Sequence, residues 1–297
     1  MTAQVLLPWL DIAVPDGLTA ERYDGTGAPP STVDSVKFYV LPYDSGSGPP
    51  GLISRMPALR AVQALSAGVD NLLPLIPAGV QLANGRGLHD LSVAEHALAL
   101  VLAAQRDLPR WFRQQRRGSW DREHTRSLAD TRVLLVGYGS IGQAIERYLL
   151  AGEAEVIRVA SIARAGVHGI DELAELLPAA DIVVLVLPDT PRTRGLFGPR
   201  ELAALPDGAL VVNVGRGTAL DTAAITAEAA SGRLRAALDV ADPEPLPADH
   251  PLWAMDNVII TPHVAGGSDS FHPRARRLVE QQLARFAAGE PLANLVR

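Results

Sequence analysis

Cysteine is absent from this 297-residue chain. That removes disulfides, thiolate metal ligands and cysteine nucleophiles together. Lysine is almost absent: Lys37 stands alone and lies far from any glycine-rich loop. A Walker-type site needs a lysine beside its glycines, so the sequence argues against that chemistry. No apolar run approaches the length of a membrane span, and no tract is of low complexity. Positive charge is in deficit, with 27 Lys and Arg against 33 Asp and Glu, a net −6. This balance argues against nucleic acid as the main partner, although it leaves room for a local basic patch. The apolar N-terminus has no basic segment followed by a cleavage site, so it is expected to be a first strand rather than a leader. The expectation is a cytoplasmic protein with no membrane partner. Apolar residues make up 47 % of the chain, and the length is enough for two domains with cores of their own.

Against these absences stands Arg132-Val-Leu-Leu-Val-Gly-Tyr-Gly-Ser-Ile-Gly142. A β-branched apolar run breaks into G-x-G-x-x-G and continues into the helix-like Gln143–Leu150. A strand, a glycine turn and a helix N-terminus make a site for a dinucleotide pyrophosphate. Gly137 serves the tight turn, Gly139 the close approach of backbone to phosphate, and Gly142 the packing of helix on strand. The motif lies in mid-chain, so something of domain size precedes it.

Residues 1–91 read as a small α/β unit with strands at 5–9, 36–40, 61–65 and 79–83, separated by Pro/Gly-rich turns. Ser92-Val-Ala-Glu95 predicts a capping box, followed by a helix through Leu102. Residues 111–130 are polar, Arg-rich and carry two tryptophans, and read as a connection that packs on another subunit. From Arg132 strands at 132–136, 155–160, 181–187, 209–214, 235–240 and 257–261 alternate with helices at 140–150, 171–177, 199–204 and 221–231. Such alternation predicts a parallel sheet covered on both faces. An amphipathic helix at 272–289 is expected to return to the first domain. The expected division is 1–95 plus 268–297 for one domain and 96–267 for the dinucleotide-binding one.

Ligands of open α/β sheets bind at the carboxyl ends of the strands. There the sequence places a cation, Arg216, a carboxylate, Glu244, and an imidazole, His263. Taken singly, each has an ordinary reading as a surface or turn residue. Together, in this order, they form equipment for hydride transfer to a 2-oxo acid. Arginine holds a carboxylate through two hydrogen bonds. Histidine gives the proton that the carbonyl oxygen needs near neutral pH. A carboxylate beside it favours the imidazolium and fixes the ring. The remaining histidines, His89, His96, His124, His168, His250 and His272, are scattered. No H-x-x-x-H pair marks a zinc site, so no metal is expected. Ser140 lacks a G-x-S-x-G elbow, which argues against a hydrolase.

With these residues in place, the sequence resembles the NAD(P)-dependent D-isomer-specific 2-hydroxyacid dehydrogenases. The resemblance runs over nearly the whole chain. It rests on Ser66–Asp70, Val93–Ala97, Val136–Gly142, Leu187-Pro188 with Thr190 and Thr193, Asn213–Gly217, Leu238–Val240, Glu244–Leu246, His250–Trp253 and Thr261–His263. It implies two Rossmann-like domains, doubly wound parallel sheets, with the active site in the cleft between them. It implies that Arg216 binds the 2-oxo acid, His263 is the acid/base and Glu244 its partner. Backbone amides of Ala67, Gly68 and Val69 would hold the substrate carboxylate, and Asp239 would meet the nicotinamide amide. The cofactor-binding set it implies takes in Gly137, Gly139, Ser140, Ile141, Gly142, Leu187, Pro188, Thr193, Val214, Asp239, His263 and Gly266. Glu244 suits the hydroxyacid enzymes better than formate dehydrogenase, whose histidine partner is glutamine. The family's glyoxylate/hydroxypyruvate reductases are the nearest likeness, and no added regulatory domain is expected.

One position departs from the pattern of NAD enzymes. They carry an acid about twenty residues past the glycine loop, at the end of the second strand. Here Ala160 or Ser161 holds that place, between Arg158 and Arg164. Without the acid nothing repels a 2′-phosphate, and Ser161 with Arg164 could bind it, so NADP is expected in preference to NAD. Two other readings stay open: a phosphite dehydrogenase, which shares the Arg/Glu/His set, and a dinucleotide-sensing, corepressor-like binding protein. Arg86, His89 and Trp120 are further candidates for the substrate pocket. A homodimer through the helix after Ser92 and the segment around Trp111 and Trp120 is expected.

Overall fold

In the computed structural model, which describes residues 3–43 and 48–296, the strands form two separate sheets, each wholly parallel. The chain divides into two compact units, Met1–His89 with Asp269–Arg297, and Asp90–Ser268.

The first unit carries β1 (Ala3–Leu7), β2 (Leu18–Arg22), β3 (Val36–Val40), a one-turn helix α1 (Gly48–Gly51), β4 (Ala61–Gln63) and β5 (Gln81–Ala83). Its sheet order is β2-β1-β3-β4-β5. β1 ends before Pro8-Trp9 rather than running through them, and proline has no N–H to offer a ladder. β2 is a strand that apolar patterning does not reveal. It lies at the sheet edge, buries little, and reads Leu-Thr-Ala-Glu-Arg.

The second unit begins with α2 (Asp90–Gln105) and α3 (Leu108–Arg117). β6 (Arg132–Val136), α4 (Ser140–Ala151), β7 (Glu155–Ala160), β8 (His168–Gly169), α5 (Leu173–Leu176), β9 (Ile182–Leu185), α6 (Pro199–Ala203), β10 (Leu210–Asn213), α7 (Thr222–Ala230), β11 (Arg235–Leu238) and β12 (Val258–Ile260) follow. The sheet order is β12-β11-β10-β9-β6-β7-β8. The direction of winding reverses at β6 and β9, and that reversal opens a crevice at their carboxyl ends. The central strands are almost wholly apolar because both faces are covered; the exceptions, Arg132 and Asn213, stand at strand ends. Leu134, Val136, Val183, Leu185 and Val211 pack beneath Leu202 and Ile225. Their neighbours Val133, Leu135, Val184 and Val212 point to the other face, against Val93, Ala97, Ile145 and Leu149.

Helix α8 (Phe271–Ala288) belongs to the first unit. Ala275, Val279 and Leu283 recur at four-residue spacing and meet Val5, Leu7, Phe38 and Val40 of its sheet.

Three sequence expectations change here. The chain passes from one unit to the other at His89, not within the long helix at residue 95. α2 is continuous from Asp90 and its inner face is part of the second core, so it cannot be shared. Ser92 is accordingly inside the helix and does not cap it; its hydroxyl meets Ser268 Oγ at 2.6 Å. The expected connection after Trp111 begins as helix α3, which ends at Gly118 in a left-handed conformation with φ of 65°. No helix among the described residues is long and apolar enough to cross a membrane.

Candidate active site

The glycine loop sits at the carboxyl end of β6, beside the sheet's reversal point. Gly137 has φ of +108°, and a Cβ there would stand 2.2 Å from Val186 O. At Gly142 a Cβ would stand 2.3 Å from Gly137 O. Neither place tolerates a side chain. At Gly139 an added Cβ meets nothing within 4 Å, so the space in front of α4 is open. Ser140 and Ile141 form the first turn of that helix. Its N–H groups and the positive end of its dipole face the space. A floor that excludes side chains beneath an open helix N-terminus fits a dinucleotide pyrophosphate.

The next carboxyl ends complete the rim. After β9, the Thr193 hydroxyl donates to Pro188 O at 2.6 Å, pinning the turn that follows Leu187. Val214, after β10, is tied to the same strand end by its N–H to Leu185 O at 3.1 Å. Buried Asn213 shapes the next turn from both sides. Its Nδ2 donates to Arg216 O at 3.0 Å and its Oδ1 accepts from Gly215 N at 3.1 Å. Arg216 is half-buried, and its guanidinium donates to Gly215 O at 2.9 Å. Among the described residues it forms no ion pair with a carboxylate. A half-buried guanidinium with only a carbonyl partner retains donors for an anion.

Beyond β11 and β12 stand Glu244 and His263. Nδ1 of His263 donates to Glu244 Oε1 at 2.5 Å, and each side chain is nearly half exposed. With Nδ1 committed to the carboxylate, Nε2 is the nitrogen left to exchange a proton. His263 has φ of +52°, left-handed backbone that a non-glycine residue rarely takes. Asp239 holds it there. Its backbone O accepts from His263 N at 2.8 Å, and its carboxylate accepts from the N–H of Val264 at 3.0 Å and of Ala265 at 2.9 Å. Thr261 Oγ1 adds a fourth donor at 2.6 Å. Burial would raise the Asp239 carboxyl, but bonds from His96, Thr261, Val264 and Ala265 outweigh it and hold it at about 2. These donors favour the charged form over the neutral one by about 2 kcal/mol net of burial.

A family description agrees with this rim. The model for the D-isomer specific 2-hydroxyacid dehydrogenase, NAD binding domain, matches residues 98–265. The chain belongs to that family. The resemblance read from its motifs, and the two parallel α/β domains it implied, are borne out.

The D-3-phosphoglycerate dehydrogenase of Methanocaldococcus jannaschii is 32 % identical over 256 residues, 82 % of this chain and 49 % of that protein. The chain therefore spans about half the length of the curated D-3-phosphoglycerate dehydrogenases it matches. A D-isomer specific 2-hydroxyacid dehydrogenase from Xanthobacter autotrophicus Py2, solved with NADPH and MES, is 34 % identical. It matches with a TM-score of 0.81 over 100 % of this chain and 98 % of its own. The NADPH-dependent glyoxylate/hydroxypyruvate reductase of Sinorhizobium meliloti, solved with NADP and sulfate, is 28 % identical. Its TM-score is 0.82, over 100 % of this chain and 98 % of its own. A nicotinamide dinucleotide, NAD or NADP, is thus the family cofactor, and the glycine cradle described above fits it.

The other residues singled out in the sequence have the following surroundings. Asp239 was assigned to the nicotinamide amide; its side chain is 1 % exposed and accepts donors from the His263 loop. Arg158 does not flank the open end of β7. Its guanidinium is hydrogen-bonded to Glu146, which also accepts from the Tyr138 hydroxyl. Arg164 and Ser161 remain exposed, and Arg164 donates to Tyr138 O, inside the glycine loop, at 2.9 Å. Gly266 is half-buried just beyond the clamp.

In the first unit, loop 66–69 is oriented through its carbonyls. Ser66 O accepts from Gly85 N at 2.7 Å, Ala67 O from Asn84 Nδ2 at 2.8 Å and Gly68 O from Ser66 Oγ at 2.8 Å. In a trans peptide the N–H of the next residue points opposite the carbonyl. The amides of Ala67, Gly68 and Val69 therefore each face away from the partner of the preceding carbonyl. His89 is buried and lies 2.8 Å from Leu65 O through Nε2. Arg86 N–H donates to Asn84 Oδ1, and Trp120 is 86 % exposed. The sequence passed over His96. Its Nε2 stands 2.9 Å from Thr261 Oγ1 and 3.3 Å from Asp239 Oδ1. Its signals were its place in Val93–Ala97, one of the segments that carry the family resemblance, and its position four residues after Ser92, on the same helix face.

Proposed function

We propose that this protein reduces a small 2-oxo acid, of the size of glyoxylate or hydroxypyruvate, to the D-2-hydroxy acid with NADPH. The observation that carries this is the His263–Glu244 pair on the same sheet rim as the glycine cradle, with Arg216 two strand ends away. A bound nicotinamide supplies the hydride. Arg216 holds the substrate carboxylate and polarises its 2-oxo group. His263, charged and held by Glu244, gives the carbonyl oxygen its proton from Nε2. The outward amides of Ala67, Gly68 and Val69 are donors suited to a carboxylate. The Sinorhizobium meliloti reductase, similar along the whole chain, supports the substrate class.

For NADP the support is local. No acid stands at the end of β7, Glu146 is neutralised by Arg158, and Arg164 is exposed beside the glycine loop. The Xanthobacter autotrophicus relative was solved with NADPH. An arginine–phosphate hydrogen bond is worth about 1.5–3 kcal/mol, so NADPH should exceed NADH in kcat/KM by about tenfold or more. Arg164→Ala should lower that ratio by a similar factor. Titrating both dinucleotides against glyoxylate and hydroxypyruvate tests this, and a clear NADH preference contradicts it.

The same reading includes a homodimer. Phe112 on α3 and Trp120 beyond it are 56 % and 86 % exposed, the kind of surface that a second copy covers. Sedimentation should return twice the mass of one chain; the mass of a single chain would overturn it.

A further inference from the structure

We propose that His96, seconded by Ser92, is a positioning residue that sets the geometry of His263. The proposal rests on the oxidoreductase reading above. Ser92 and His96 are four residues apart on α2 and share a face. Ser92 Oγ meets Ser268 Oγ at 2.6 Å, and His96 Nε2 meets Thr261 Oγ1 at 2.9 Å. One helix face therefore grips both ends of segment 261–268, and His263 lies within it.

The protons can be placed. Thr261 Oγ1 donates its only hydrogen to Asp239 Oδ1 at 2.6 Å, so toward His96 it can only accept. Nε2 of His96 must then carry a hydrogen, which also points to Asp239 Oδ1 at 3.3 Å. Asp239 in turn accepts from the N–H groups of His263, Val264 and Ala265, which bracket the left-handed turn. A non-glycine residue in such backbone is strained, and the strain is released if the bracket loosens. Removing the His96 ring leaves the Thr261 hydroxyl and the buried Asp239 carboxylate each short of one donor. The Asp239 side chain, left with Thr261, Val264 and Ala265, is held less firmly, and the ring of His263 shifts against Glu244. His96 reaches neither Glu244 nor the His263 ring within hydrogen-bond distance among the described contacts. It acts through Thr261 and Asp239.

The test compares the full chain with His96→Ala and His96→Gln, whose amide can still donate toward Thr261. A misplacement of the acid by a fraction of an ångström to one ångström should lower kcat of His96→Ala by about 30- to 100-fold, with KM changed less than about threefold. NADPH affinity should stay within about twofold, and His96→Gln should recover most of kcat. Amide exchange at Val264 and Ala265, read without any ligand, should accelerate by about tenfold or more in His96→Ala, the loss of about 1.4 kcal/mol of local protection. An active wild type with an unaffected His96→Ala overturns the proposal. So does a loss of kcat that tracks a lowered Tm and that glutamine does not relieve. If the wild type reduces no 2-oxo acid, the functional reading fails instead. The exchange rates then decide for the clamp if they rise and against it if they do not change.

Discussion

His263→Ala is expected to lower kcat by about 10³-fold while NADPH binds as before. General acid–base catalysis by a placed side chain contributes about 10²–10⁴-fold, and nothing else on this rim can replace its proton. The ring is nearly half exposed and hydrogen-bonds to the similarly exposed Glu244, so truncation leaves no buried cavity and no orphaned interior group. Tm should therefore hardly move. Glu244→Gln should fall between the wild type and His263→Ala. The amide still accepts from Nδ1 but no longer offsets the imidazolium charge. The slowing is read in steady-state NADPH oxidation, and the retained binding in NADPH fluorescence titration. A His263→Ala variant with near-native turnover contradicts the assignment.

Arg216→Ala should cost still more in kcat/KM. Two charge-assisted hydrogen bonds of about 1.5–3 kcal/mol each are lost, together with the polarisation of the 2-oxo group, a combined drop of about 10³-fold or greater. The loss should appear in KM as well as kcat if, as proposed, the guanidinium holds the substrate before and during reaction. Arg216→Lys should restore little. Lysine offers a point charge where the carboxylate requires a planar fork. The fold should survive, since the turn is shaped by Asn213 through the backbone of residues 215 and 216, not by the guanidinium. Replacing Asn213 is a useful contrast. Its side chain is buried and hydrogen-bonds through both its oxygen and its nitrogen, so its loss should lower Tm as well as activity. Kinetics of the two arginine variants with glyoxylate measure the first effect, and a thermal melt separates it from the second.

The second unit was legible in the sequence because its strands are buried on both faces. Unbroken runs such as Ile182–Leu185 and Leu210–Asn213 need no partner to be recognised. Residues 132–136 and 155–160 agree with β6 and β7 to the residue. The glycine loop was legible because its requirements are local: a turn, an approach and a helix start within six residues. β2 was not legible. An edge strand covered on one side carries no apolar run, and its pairing with β1 is set by residues fifteen positions away.

Ser92 misled for a related reason. Its sequence context is that of a helix cap, but its hydroxyl is used by Ser268, 176 residues later. The same distance hid His96. On one helix it is an isolated histidine; folding brings Thr261 and Asp239 to it from the ends of two strands. Arg158 belongs with them: its guanidinium pairs with Glu146, on α4, a partner that its place among apolar neighbours in β7 does not reveal.

Product analysis tests the functional reading most directly. The wild-type chain is supplied with hydroxypyruvate and NADPH, and the hydroxy acid formed is resolved by chirality. One D-glycerate per NADPH oxidised is the expected result, with NADH consumed more slowly. No oxidation of either dinucleotide across a panel of 2-oxo acids, or formation of the L-isomer, would contradict it.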